Sequence, residues 1–272
     1  MRFTEGDVRL AYAVFGDVGA TPLVFINGLG GALQGWFYQT RHFSKTRYAM
    51  AYDHRGNGKS PDFEGVGELE TYAQDLLRVM DSAKINRADL CGVSFGGRLA
   101  QYMALNYPER VRSITLVATQ SGPAGTVEGH SVLETMGTMT GDEIFEEVVP
   151  LLFGPEYIES HLRHLKVFSN SRAKNPLSPV ALKRQMDAAR RFDPRDELHI
   201  ISVPTLIIHG TIDRLCPIEE AYTLEAAIPN AQLVELPNIG HSPNIETPEM
   251  FNEVMDSFLI SVDVGDLFDH SG

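Results

Sequence analysis

The sequence predicts an α/β protein: a mostly parallel sheet with helices on both faces, interrupted by one helical insertion. Three patterns carry that expectation. Short apolar runs rich in Val, Ile and Leu alternate with longer amphipathic runs. Several of the short runs are nearly continuous, as in strands covered on both faces. The alternation stops between about Gln120 and Ile201, where the pattern is mostly helical.

Taken in order, Arg2–Thr4 and Val8–Phe15 flank the turn Glu5-Gly6-Asp7, which predicts an opening hairpin. Further strands are expected at Pro22–Asn27, Tyr48–Asp53, Ala88–Ser94, Ser113–Thr119, Pro204–Gly210 and Gln232–Leu236. Leu69–Ala83 puts Leu69, Tyr72, Ala73, Leu76, Leu77 and Met80 on one helical stripe. Gly97–Asn106 predicts a second helix, closed by Pro108. Ile218–Ala227 and Pro248–Leu259 have the same character. Gly137, Gly141, Pro150, Gly154-Pro155, Pro176 and Pro179 break up the insertion. The expected organisation is a core of 1–119 and 202–272 with a helical lid of 120–201. The lid would lie over the C-terminal edge of the sheet, where ligand sites of open α/β sheets lie.

A chain of 272 residues suits one large domain, or one domain with an insertion. It needs no disulfide or metal staple, because a chain this long buries roughly 75% of its unfolded surface. Its 43% apolar and 22% charged residues are ordinary for a soluble globular protein. The 23 basic and 36 acidic residues leave a net charge of −13. That sign repels nucleic-acid backbones and anionic membranes, and disfavours polyanionic substrates. Cys91 and Cys216 form no CxxC, which excludes a disulfide framework and a cysteine-rich zinc site. The opening MRFTEGDVRL has no signal-peptide pattern, and no apolar run reaches membrane-spanning length. A cytoplasmic location is expected.

The strongest chemical signal is Gly92-Val93-Ser94-Phe95-Gly96-Gly97, a G-x-S-x-G between a strand-like and a helix-like run. A nucleophile elbow requires that context. The turn is so sharp that bulky residues two positions either side of the serine would collide. The Phe95 N–H, at the start of the helix, is left free for an oxyanion. A serine hydroxyl needs a base. Of nine histidines, His241 alone sits in a loop after the last strand-like run, in Gly240-His241-Ser242-Pro243. His130 falls in the lid, and His270 in a polar tail. The acid should follow an earlier strand. Asp213 lies three residues beyond Thr205–Gly210, whereas Ala118-Thr119-Gln120-Ser121 offers no carboxylate. Asp213 would hold the His241 tautomer, although a turn aspartate capping the next helix has the same position. Gly28-Leu29-Gly30-Gly31 lets the backbone come close, and Leu29 N–H is the expected second oxyanion donor. No G-K-[ST] follows that loop and no G-x-G-x-x-G is present, so a nucleotide loop is disfavoured.

With these motifs in place the sequence resembles the α/β-hydrolase superfamily over nearly all of the chain outside the lid. The resemblance rests on Asn27-Gly28-Leu29-Gly30, Asp53-His54-Arg55-Gly56-Asn57-Gly58, the Ser94 elbow, Pro108-Glu109-Arg110-Val111, His209-Gly210-Thr211-Ile212-Asp213 and Gly240-His241. It implies an eight-stranded sheet and a cofactor-free, metal-free serine hydrolase with Ser94, Asp213 and His241 as triad. Trp36 matches an aromatic that lines the pocket in many members. One departure is Asn27, where most relatives carry histidine before the glycine. The Asn-x-Leu-Gly pattern looks like enol-lactone hydrolases.

Other features have two readings. Met136 and Met139 either line a substrate passage or pack in the lid. Lys183, Arg184, Arg190 and Arg191 read as a solvated basic face rather than a receiver of anions. Asp53-His54-Arg55 reads as loop scaffold, with Arg55 pairing locally. Cys91 reads as a packed strand residue, and Cys216, near the acid, as mildly reactive. The expected function is hydrolysis of small carboxylic esters, with enol-lactones or C–C bonds as alternatives. A receptor-like binding protein and a nicotinamide oxidoreductase are the competing classes.

Overall fold

The computed structural model describes residues 1–62, 67–123, 132–133, 135–174 and 177–269. His130, Pro176 and His270 lie outside them. The strands are β1 (Arg2–Phe3), β2 (Ala11–Phe15), β3 (Pro22–Ile26), β4 (Tyr48–Tyr52), β5 (Ala88–Val93), β6 (Val111–Val117), β7 (Thr205–Gly210) and β8 (Ala231–Leu236). They form one sheet in the order β1-β2-β4-β3-β5-β6-β7-β8. β2 pairs antiparallel with β1 and with β4, and all remaining pairs are parallel. β2 starts later than its sequence suggests. Residues 8–10 wrap around Thr4, whose hydroxyl donates to Val8 O while accepting from Leu10 N–H.

The nearly continuous apolar strands are explained by two cores, one on each face. Val24, Ile26, Met50, Tyr52 and Leu90 point into one, and Leu23, Phe25, Ala49, Ala51 and Cys91 into the other. Alternate residues of each strand therefore both meet apolar partners. The helices α2 (Leu69–Ser82) and α3 (Phe95–Asn106) cover the first face. The helix α1 (Phe37–Phe43) and the C-terminal helix Pro248–Asp269 cover the second. α1 is too short for its periodicity to stand out. α3 begins two residues earlier than its pattern, because Ser94 itself turns the corner.

Between β6 and β7 the described residues form helices and turns only. Pro155–Ser160, Leu162–Lys174 and Pro179–Arg191 are the longest. A π-helical turn over Ile144–Val148 sits ahead of them. This segment has apolar clusters of its own, in which Met139 packs. Among the described residues no helix is long and apolar enough to cross a membrane.

Candidate active site

Ser94 occupies the corner between β5 and α3 with φ 54 and ψ −115. A non-glycine residue holds that backbone only where the surroundings enforce it. The enforcement is visible. Ser94 N–H donates to Val117 O at 2.8 Å, and Ser94 O accepts from Thr119 Oγ1 at 2.7 Å and Gly97 N–H at 2.9 Å. A Cβ on Gly92 would lie 2.1 Å from Gly96 O, and one on Gly96 would lie 2.2 Å from Ile26 O. Both glycines of the motif are thus demanded by backbone contact on the inside of the turn.

Asp213 and His241 come from the loops after β7 and β8. Asp213 Oδ2 lies 2.8 Å from His241 Nδ1. Its Oδ1 accepts from Leu215 N–H at 2.8 Å and Cys216 N–H at 2.9 Å. Burial pushes the carboxyl up. The His241 imidazole and the His209 ring outweigh that and hold it well below the usual carboxylate range. The helix-cap reading of Asp213 therefore accounts for one oxygen only. Glu246 fixes the histidine loop, accepting Gly240 N–H at 2.9 Å and Gly154 N–H at 2.8 Å. The sequence reading missed it, although it stands five residues beyond the histidine.

Leu29 and Phe95 face the same cavity as Ser94 and His241. As the first residue of α3, Phe95 has no intrahelical acceptor for its N–H. Gly28 brings the Leu29 loop against Ser94; a Cβ there would lie 3.4 Å from Ser94 Cβ. Asn27, the departure in the motif, has a structural task. Its side-chain amide donates to Tyr52 O at 2.6 Å, and its carbonyl accepts from the buried His54 ring at 3.0 Å. Burial lowers the His54 pKa to about 4, so the ring is neutral at neutral pH. Arg55 pairs with Asp75 on α2 at 2.6 and 2.7 Å. Asp53 accepts Leu33 and Lys59 N–H groups. The Asp53-His54-Arg55 stretch is scaffold.

The cavity encloses about 810 Å³ between the strand ends and the helical segment, a volume suited to a small organic ligand. Trp36 and Met136 both line it. Trp36 is stacked on Phe25 with centroids 4.9 Å apart, so it forms wall. Met139 does not reach the cavity.

Two expectations are corrected. Arg190 does not belong to a purely solvated face, because it lines the cavity. Lys183, Arg184 and Arg191 instead meet Asp187, Asp62 and Glu68. Cys216 is not a reactive thiol: burial first, and the Asp213 charge second, push its pKa far up. It nonetheless shares the cavity, and the Ser94 hydroxyl lies beside it. Among the described residues the Ser94 hydroxyl makes no hydrogen bond to His241. Asp213, Cys216 and His241 bring ligand atoms within 4.8 Å of one another. Of these groups, Asp213 Oδ2 and His241 Nδ1 already bond each other.

Residues 21–248 match the family model described as alpha/beta hydrolase fold. The chain is 28% identical over 257 residues to 3-oxoadipate enol-lactonase 2 of Acinetobacter baylyi, covering 94% of this chain and 95% of that protein. It is 28% identical to a protein of Azorhizobium caulinodans bearing the name carbamate hydrolase RutD, covering 95% and 97%. The crystal structure of the enol-lactonase from Burkholderia xenovorans LB400 superposes with a TM-score of 0.84 at 28% identity, covering 93% of this chain and 97% of that one. With its eight-stranded, mostly parallel sheet flanked by helices, the chain belongs to the alpha/beta hydrolase fold family and is a hydrolase.

Proposed function

We propose that the chain is a serine hydrolase of small carboxylic esters. The observation that carries this reading is the strained Ser94 corner opening on the same cavity as a histidine whose Nδ1 is held by a buried carboxylate. Ser94 Oγ turns from the Cys216 thiol towards His241, which takes its proton as the oxygen attacks the ester carbonyl. The Leu29 and Phe95 N–H groups hold the tetrahedral oxyanion. His241 returns the proton to the leaving alcohol, and the acyl group stays on Ser94. Water, deprotonated by His241, then attacks the acyl carbon, and His241 returns that proton to Ser94 Oγ as the acid leaves. Asp213 keeps the ring in the tautomer that leaves Nε2 able to accept. The helices between β6 and β7 act as the lid of this site. No cofactor enters the scheme. The unpaired buried thiols Cys91 and Cys216 support a reducing, cytoplasmic setting.

A second reading is enol-lactone hydrolysis by the same apparatus. It is favoured by the Asn27-Gly28-Leu29-Gly30 loop and by the names of the enol-lactonase relatives. A panel of p-nitrophenyl esters of rising chain length, run beside an enol-lactone, decides between them. Turnover of the esters supports the first reading, and turnover of the lactone alone supports the second. A fluorophosphonate that leaves no adduct on Ser94 would overturn both.

A further inference from the structure

The charge inside the cavity contradicts the charge outside. The chain has 36 acidic and 23 basic residues, yet no Asp or Glu is among the described residues lining the cavity. Arg98, Arg172, Arg190 and His164 line it together with His241. Two of these arginines are set apart by their partners. Arg98, in the first turn of α3 behind Ser94, is 2% exposed. It donates to the carbonyls of Gly122, Ala189 and Phe192, and lies over the Phe192 ring. Its Nε has no partner among the described residues. Arg172, near the end of the helix Leu162–Lys174, donates to Gly30 O in the oxyanion loop. Neither makes an ion pair with a carboxylate of the described residues. Burial lowers both pKa values, that of Arg98 to about 10, and both guanidinium groups stay charged at neutral pH.

Carbonyl oxygens satisfy the hydrogen bonds of both; Glu220 and Asp193 offset the Arg98 charge in part without touching it, whereas burial alone acts on Arg172. Arg172 is half-buried, and a cation partly withdrawn from water with no carboxylate of the described residues beside it carries a desolvation cost that no opposite charge repays. The energetic gap closes when a ligand brings the anion. Arg172 spends one donor on Gly30 O, and its planar fork retains further N–H groups for a carboxylate. Its tie to Gly30 also sets it next to the loop that presents Leu29 N–H.

We infer that the substrate carries a free carboxylate in addition to its scissile ester, and that Arg172 receives it while Arg98 adds positive potential from the floor of the cavity. The chemical class is a monoester of a dicarboxylic acid. Naming the ester rests on the serine-hydrolase reading; the anion subsite rests on the cavity charges. Arg172 is then a specificity-determining residue that discriminates acids from their neutral isosteres.

Calorimetric titration of the Ser94→Ala chain tests this without turnover. Monomethyl glutarate is the anionic probe and dimethyl glutarate its neutral isostere. The monoester should bind about tenfold tighter or more, as expected for a charge-assisted guanidinium contact in a shielded site. Arg172→Met in the same background should bring the ratio of the two affinities towards one, and Arg172→Lys should recover part of it. Should Arg172→Met fail to fold, the Ser94→Ala chain serves alone. Its ratio should narrow as salt rises from about 50 mM to about 500 mM, since only the charged probe is screened. Equal affinities for the two probes, or tighter binding of the diester, would overturn the inference. Retained ester hydrolysis in Ser94→Ala would instead defeat the serine reading and leave the affinity ratio to stand by itself.

Discussion

The loops at the strand ends and the helical segment between β6 and β7 meet across one cavity but are built on different principles. In the loops the backbone is the constraint. Ser94 is pinned at positive φ, and Asp213 has both oxygens engaged. Glycines sit where a Cβ would fall 2.1 to 2.2 Å from a carbonyl oxygen. The helical segment is held by side chains, with apolar clusters that also take in Leu215 and Ile245 of the loops, a π-helical turn and exposed ion pairs. Arg172, one of its cavity arginines, bonds a carbonyl. The contrast assigns tasks. In the proposed reaction the loops would hold the bond-making groups in place, as preorganised electrostatics requires, and the helical segment would supply shape and charge.

Removing the proposed nucleophile should show the largest effect. Ser94→Ala should lower kcat for p-nitrophenyl acetate by about 10⁴-fold or more, since members of a triad act as a unit. Met136→Ala, on the helical side of the same cavity, should change the preference between short and long acyl chains by only about tenfold, the scale of a few methylenes in a pocket. A comparable collapse of kcat in both variants would erase the division of tasks.

The loops should also dominate the pH dependence of stability. His54 is fully buried and its folded pKa is about 4, whereas an unfolded histidine titrates near 6.5. The unfolded chain therefore binds the proton first as pH falls. This contribution is fully present above about pH 6.5 and is lost progressively down to about pH 4, a change of about 3 kcal/mol. Urea unfolding at pH 7.5, 6, 5 and 4 measures it. His54→Gln should flatten that slope, and an unchanged slope would remove His54 as its source.

How much of this was legible in the sequence follows the same division. The elbow could be read because its motif is contiguous: Gly92, Ser94 and Gly96 fall within five residues, and Gly92 meets Gly96 directly. Asp213 and His241 could be placed because the chain order of the motif narrows the choice. Glu246 was missed because one of its two partners, Gly154, lies 92 residues away. Arg172 was missed because the contact that brings it to the cavity spans 142 residues of chain. Arg190 looked like its helix neighbours, and only the seating of Pro179–Arg191 against the cavity separates it from them. Short-range sterics are written in the sequence, whereas the lining of a cavity depends on how distant elements pack.

A smaller stability effect should come from the glycines. Gly96→Ala forces a Cβ against Ile26 O, and backbone on both sides cannot yield as a side-chain tip could. A loss of about 1–3 kcal/mol is expected, the range for overpacking, measured by urea unfolding at pH 7.5. A loss much below that would mean that the strand ends relax more freely than their hydrogen bonds imply.

The smallest effect should lie on the helical segment. Lys183 is highly exposed and meets Asp187 one helical turn on at 2.9 Å. Such i,i+4 pairs contribute about 0.3–0.5 kcal/mol in water, and alanine's higher helix propensity offsets part of the loss. Lys183→Ala should therefore change unfolding free energy by less than about 0.5 kcal/mol. The residual should vanish in high salt, because the pair is screened. A loss approaching that of Gly96→Ala would show that the exposed face of the helix is coupled to the strand-end loops. The segment could then no longer vary independently of the groups proposed to make and break bonds.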